Sequence, residues 1–194
     1  MLGTPKQGLA SLRLVLCFLL GLYVAACAPG HGLPELPTTA PGAYRLGPGD
    51  VVRLITFGEE SLTGEFRVSD SGTIALPLVG TVRASGLSPD TLAARVSEAL
   101  LHANLLRSPS VSAEVITYRP IFVLGEVSKP GQYPYQPGMT VVTAAAVAGG
   151  FTYRAIQSYA SVVRTQDGGA VEGTASRQTL IQPGDVITVF ERRF

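Results

Sequence analysis

RPIFVLGEVSKPGQYPYQPGMTVVTAAAVAGGFTYR, residues 119–154, decides how the second half of this chain folds. It reads as a strand over Ile121–Val127, a turn at Lys129-Pro130-Gly131, and a second short strand through Tyr133 and Tyr135. Another turn follows at Pro137-Gly138, because proline presets one turn dihedral and glycine tolerates the other. A short helix then runs from Thr140 to Ala148 and stops at Gly149-Gly150, where glycine takes the left-handed position that ends helices. No charged residue lies between Lys129 and Arg154. A helix on a protein surface normally keeps one charged side. This one presents Val141, Val142, Ala144, Ala145, Ala146, Val147 and Ala148 after Thr140, and it is far shorter than the roughly 20 residues that cross a bilayer. The expectation is that its own sheet covers one side and that Thr140–Ala148 forms an assembly surface on the other.

Downstream, Tyr159–Arg164 reads as a strand, Gln166-Asp167-Gly168-Gly169 as a hairpin loop and Ala170–Gly173 as its partner. The last strand, through Val186–Phe190, is opened by Pro183-Gly184-Asp185. That turn repeats Pro48-Gly49-Asp50, which opens a strand at Val51–Phe57. Two copies make a shared turn solution, not a solenoid. From residue 119 the order is β-β-α-β-β-β with one helix across a mixed sheet, a β-grasp layout.

Upstream, 44–118 is β-rich with one helix. Phe66–Ser69 and Thr73–Leu76 flank Asp70-Ser71-Gly72 as a hairpin, and Val79–Arg83 extends the sheet. Ser88-Pro89-Asp90 starts a helix, with serine as cap and proline at the first helical position. Leu92, Val96, Ala99, Leu100 and Ala103 form its apolar stripe. Ser110–Thr117 alternates and reads as a half-exposed strand. The fold class is α+β, a small β-rich domain at 44–118 followed by a β-grasp domain at 119–194.

Residues 1–26 read as a secretory leader: Lys6 and Arg13 precede the apolar run Leu14–Ala26. Val24-Ala25-Ala26-Cys27 resembles the bacterial lipoprotein processing site, in which Cys27 is acylated. Ordinary cleavage nearby, with Cys27 incidental, is the alternative. Cys17 lies in the leader, so a mature chain would hold one cysteine and no internal disulfide. Ala28 in the next position resembles the signal that routes such lipoproteins to the outer membrane. Residues 27–43, with four prolines and three glycines between Ala28 and Gly42, read as a tether reaching roughly 45–50 Å.

Composition removes several function classes. The net charge of +1, about −1 without Lys6 and Arg13, gives no footprint for nucleic acid. His31 falls in the tether and His102 at a helix end; no nucleophile motif, metal spacing or cofactor motif is present. Glu59-Glu60 reads as a solvated pair. The chain is expected to be no enzyme and to need no cofactor. Asp50 and Asp185 read as turn residues that bond nearby backbone, alongside the structural turns at Pro48, Gly49, Pro130, Gly131, Gly149, Gly150, Pro183 and Gly184. Tyr133 and Tyr135 read as same-side strand tyrosines used in packing, with a sugar-stacking face as the alternative.

Several motifs in order resemble the outer-membrane polysaccharide export family over about residues 44–190. Tyr44-Arg-Leu-Gly-Pro-Gly-Asp-Val51, Val68-Ser-Asp-Ser-Gly-Thr-Ile-Ala-Leu-Pro-Leu-Val-Gly80, the Gly86-Leu-Ser-Pro89 helix start and Pro109-Ser-Val111 are similar to its export domain. Val123-Leu-Gly-Glu-Val127, Pro130-Gly-Gln-Tyr133 and Ala148-Gly-Gly150 are similar to its soluble-ligand-binding β-grasp (SLBB) module. The resemblance implies a lipid-anchored, periplasm-facing outer-membrane protein that assembles as a ring-like homo-oligomer. The ring would conduct capsular or exopolysaccharide and work with an inner-membrane co-polymerase. Longer family members carry further β-grasp modules and a C-terminal membrane-spanning helix. This sequence ends at Phe194 at the close of a strand, so the expectation is that a separate outer-membrane pore completes the crossing. A sugar-binding module or a scaffold, neither forming a conduit, are the alternatives.

Overall fold

The structure, a computed structural model, describes residues 29–30, 32–37, 44–166 and 169–192. The predicted leader and Cys27 lie outside them. Two clusters of buried side chains organise the rest, each beneath its own sheet.

The first sheet has the order β2-β1-β5, with β1 (Val51–Thr56) between β2 (Gly64–Arg67) and β5 (Val111–Thr117), all antiparallel. Alternation sends Val52 and Leu54 inward and Arg53 and Ile55 outward, as period-2 geometry requires. β3 (Thr73–Leu76) and β4 (Gly80–Arg83) form a separate two-stranded ribbon. The expected hairpin across Asp70-Ser71-Gly72 therefore closes only at its mouth, where Ser69 N–H donates to the Thr73 carbonyl at 2.8 Å. Beyond that point β2 pairs with β1 and β3 with β4, because β1 and β4 offer longer matched ladders. Helix α1 (Pro89–His102) is capped by Ser88, whose side chain accepts from Thr91 N–H at 3.2 Å, and it buries Leu92, Val96 and Leu100.

The second sheet has the order β7-β6-β10-β8-β9. Its centre is a parallel pair, β6 (Ile121–Gly125) beside β10 (Val186–Val189), and every other pairing is antiparallel. β7 (Gly131–Tyr133) forms one edge; β8 (Tyr159–Gln166) and β9 (Gly169–Ser176) form the other. Helix α2 (Val141–Val147) lies on the face that presents Ile121, Val123, Val162 and Ile187. Thr140 and Thr143 cap it reciprocally, Thr143 N–H to Thr140 Oγ1 at 3.3 Å and Thr140 N–H to Thr143 Oγ1 at 2.7 Å. This is the predicted β-β-α-β-β-β order.

The tether reading needs correction. Residues 32–37 are not a free linker past the second sheet: Thr174 N–H donates to the Pro34 carbonyl and Leu36 N–H to the Thr174 carbonyl, both at 2.8 Å. Leu36 is 6% exposed and belongs to the core under the second sheet. The cause is an unpaired strand edge. β9 ends the sheet, and a short parallel segment satisfies its open backbone groups.

Candidate functional site

The two Pro-Gly-Asp turns, distant in sequence, meet around one side chain, Arg119. Each turn uses the same local bond. Asp50 Oδ2 accepts from Gly47 N–H at 2.8 Å, and Asp185 Oδ2 accepts from Gln182 N–H at 2.7 Å. Gly49 (φ +95°) and Gly184 (φ +89°) take the left-handed turn position that other residues avoid. Both carboxylates are essentially fully buried, so each must find cationic or polar partners.

Their partners differ. Asp185 holds Arg164 through both oxygens, Nε to Oδ1 at 3.0 Å and Nη2 to Oδ2 at 2.7 Å, and Arg164 also donates to the Leu180 carbonyl at 3.1 Å. This fork-to-carboxylate pair lies wholly inside the second domain. Asp50 instead reaches across the chain. Its Oδ1 accepts from Arg119 N–H at 2.9 Å and lies 3.5 Å from Arg119 Nε, while Oδ2 takes the Tyr44 hydroxyl at 2.6 Å. Arg119 Nε is buried and makes no hydrogen bond of good geometry, so its attraction to Asp50 is that of an ion pair. Burial, then the hydrogen bond and charge of Asp50, push the Tyr44 phenol well above its ordinary pKa and hold it protonated as a donor.

The second turn closes on the same place. Gly184 N–H donates to the Pro120 carbonyl at 3.1 Å, and Phe122 N–H to the Asp185 carbonyl at 3.0 Å. A Cβ on Gly47 would collide with the Arg119 guanidinium. Tyr44, Tyr118 and Tyr135 then stack edge to face across the junction, at 5.0 and 5.4 Å between ring centres. Tyr135 is thus committed to packing, and burial raises its phenol pKa. Tyr133 packs on the second core and donates its hydroxyl to the Lys129 carbonyl. Both rings are half-buried in packing contacts, one against Tyr118 and the other tied to its own turn, so they do not stand as a flat paired face for the alternative, a sugar.

The helix expected as an assembly surface divides in two. Val141, Ala144, Ala145 and Ala148 are at most 1% exposed and face the sheet. Thr143, Ala146 and Val147 are exposed, and Val142 and Thr140 are intermediate. Charges are missing on the inner side because small apolar residues let a short helix sit close to the sheet. Only the outer strip, Thr143, Ala146 and Val147, remains for a neighbour. Gly149 and Gly150 end the helix at φ +84° and +87°, and Gly149 N–H donates to the Ala146 carbonyl at 3.0 Å. Pro130 and Gly131 lead into β7.

Sequence reasoning found both aspartates but missed Arg119 and Arg164, which hold them. The available signal was an apolar strand, Tyr159–Arg164, ending in a charge that must be paired if buried. No group of three or more His, Cys, Asp or Glu able to hold a metal occurs among the described residues. No helix among them is long and apolar enough to cross a membrane.

What the fold and junction define is a two-domain α+β protein in which the buried carboxylates of Asp50 and Asp185 hold turns and strands together. Residues 38–116 match the family described as polysaccharide biosynthesis/export protein, and residues 120–175 match the SLBB domain. The chain belongs to the polysaccharide export family, with an export domain followed by an SLBB domain; this is a family of transport proteins, not enzymes. It is 34% identical over 153 residues to the exopolysaccharide production protein ExoF of Rhizobium meliloti, covering 73% of this chain and 35% of that protein. It is 30% identical over 139 residues to the EPS I polysaccharide export outer membrane protein EpsA of Ralstonia nicotianae, covering 70% and 35%. With EpsA of Ralstonia solanacearum the figures are 25% over 186 residues, 77% and 48%. The chain thus spans between a third and a half of the length of these relatives.

Proposed function

We propose that this protein acts in the export of an exopolysaccharide or capsular polysaccharide at the outer membrane. In this reading it is acylated at Cys27, faces the periplasm, and assembles as a ring-like homo-oligomer around the polysaccharide in transit. An inner-membrane co-polymerase supplies the chain. The observation that carries the reading is the junction at Asp50 and Arg119. It makes the export and SLBB domains one stiff unit, which is what a repeating wall element requires.

The domain limits proposed are 44–118 and 119–194, meeting between Tyr118 and Arg119. The contact between neighbouring copies is assigned to the outer strip of α2, Thr143, Ala146 and Val147, with Leu180, half exposed and bridged to Thr140. A conduit is favoured over a sugar-binding module because Tyr133 and Tyr135 are occupied by packing. The test is deletion in the native bacterium. Loss of surface polysaccharide with lipid-linked repeat units still made supports export; unchanged surface polysaccharide sinks it.

A further inference from the structure

The strands that leave the junction run away from it. β1 starts directly after Asp50 and ends at Thr56, beside Phe57; β6 and β10 start beside Arg119 and Asp185 and end at Gly125 and Val189. The SLBB sheet therefore has a junction end and a far end. The far end is where the N-terminal segment arrives. Tyr159 donates its hydroxyl to the Pro29 carbonyl at 2.9 Å, and a Cβ on Gly30 would meet the Phe190 ring at 2.8 Å. Further along, a Cβ on Gly173 would meet the backbone of Leu36 at 2.8 Å, so β9 has a glycine where the segment crosses it. The segment is seated by a side-chain bond, a backbone ladder and a buried leucine.

Pro29 is two residues from Cys27, hence within about 7 Å of it along even a fully extended chain. Whatever holds Cys27 at a membrane holds the far end of the SLBB sheet there as well. The surface at that end has the composition of a membrane interface. Tyr153 is 85% exposed. Arg154, half exposed, is paired with Glu191, and Arg192 is exposed and donates Nε to the Ala155 carbonyl at 2.9 Å. Arg192 N–H also donates to the Arg154 carbonyl and Ile156 N–H to the Phe190 carbonyl, both at 2.8 Å, which sets these side chains beside the Pro29 seat. Tyrosine and arginine suit the headgroup layer, where a ring or an alkyl stem meets apolar surface and the polar tip stays wet.

We propose that this end of the SLBB domain, with Tyr153, Arg154 and Arg192 at its surface, rests on the lipid bilayer. The docked residues 29–30 and 32–37 set that orientation and point the export domain away from the membrane. The proposal rests on the lipid-anchor reading of Cys27. The chain contains no tryptophan, so a single introduced one reports its own surroundings. Full-length Tyr153→Trp and Phe57→Trp variants would be made with the native leader, extracted from membranes, and reconstituted on phosphatidylethanolamine–phosphatidylglycerol vesicles with and without brominated acyl chains. Phe57 is also 85% exposed, so both changes spare the core.

The expected result is blue-shifted emission from Tyr153→Trp that brominated lipid quenches, with the emission of Phe57→Trp red and unquenched. Adding Gly173→Val, which unseats the segment, should relieve the quenching of Tyr153→Trp while the protein stays on the vesicles. Tyr153→Trp protein that binds vesicles but is not quenched overturns the proposal, and a blue shift without quenching does so by revealing a protein contact instead. Protein that fails to bind vesicles and carries no acyl group on Cys27 overturns the anchor reading together with this one.

Discussion

Asp50 at the head of β1 accepts the backbone N–H of Arg119 at 2.9 Å, although 69 residues separate them. One carboxylate thereby closes its own turn, orients Tyr44 and fixes the first residue of the SLBB domain. Asp50→Ala removes the acceptor of three donors at once and leaves them buried. Unpaired buried groups cost about 1–3 kcal/mol each, so the expected outcome is loss of joint unfolding, with the two domains melting as separate calorimetric transitions. A single transition that only moves to lower temperature would show that the domains couple through the tyrosine stack instead.

Asp185 sits at the same turn position with a different role. Its bidentate pair with Arg164 is 1–3% exposed and stays within the SLBB core. Removing one partner of a buried pair costs about 3–5 kcal/mol, whereas replacing both with well-packed apolar residues costs far less. Arg164→Ala should therefore destabilise the SLBB domain by that amount in urea unfolding. Arg164→Met with Asp185→Leu should recover part of it, the part not lost with the Gln182 and Leu180 bonds. Equal losses for the single and double variants would refute the ion-pair account.

Tyr44 gives the junction a pH dependence. Its folded pKa is raised, chiefly by burial and then by Asp50, so the folded state keeps a proton that the unfolded chain releases near pH 10. The contribution is complete below that value and is lost as pH rises beyond it, by up to about 1.4 kcal/mol per pH unit. Wild type should lose stability more steeply above pH 10 than Tyr44→Phe. Parallel pH profiles for the two proteins would exclude Tyr44 as the source.

How much of this was legible in the sequence depends on the range of the interaction. The β-β-α-β-β-β order, the Ser88 cap and the two Pro-Gly-Asp turns are local, and periodicity and turn chemistry reveal them. Thr140 was read as the helix start, but its reciprocal bond with Thr143 was missed because threonine at that third position replaces the usual glutamate. What lay out of reach was pairing over distance. The partner of β2 is decided by competition among strands, and the partner of Asp50 lies across two domains. Residues 32–37 look like a linker by composition, since prolines and glycine make up half of them. Only an open strand edge at β9 recruits Leu36, and an edge has no signature in the segment that covers it.

The inward and outward sides of α2 allow the assembly reading to be separated from folding. Ala145 is 1% exposed against the sheet, while Val147 is 46% exposed. Ala145→Glu would bury an unpaired carboxylate and should unfold the SLBB domain, which says nothing about neighbours. Val147→Glu and Ala146→Glu place the charge in solvent and should leave the melting temperature of the isolated chain nearly unchanged. If the outer strip of α2 is where copies meet, both surface variants sediment as folded monomers under conditions in which wild type forms its oligomer. Sedimentation identical to wild type for both would move the contact elsewhere and leave the missing charges explained by close helix–sheet packing alone.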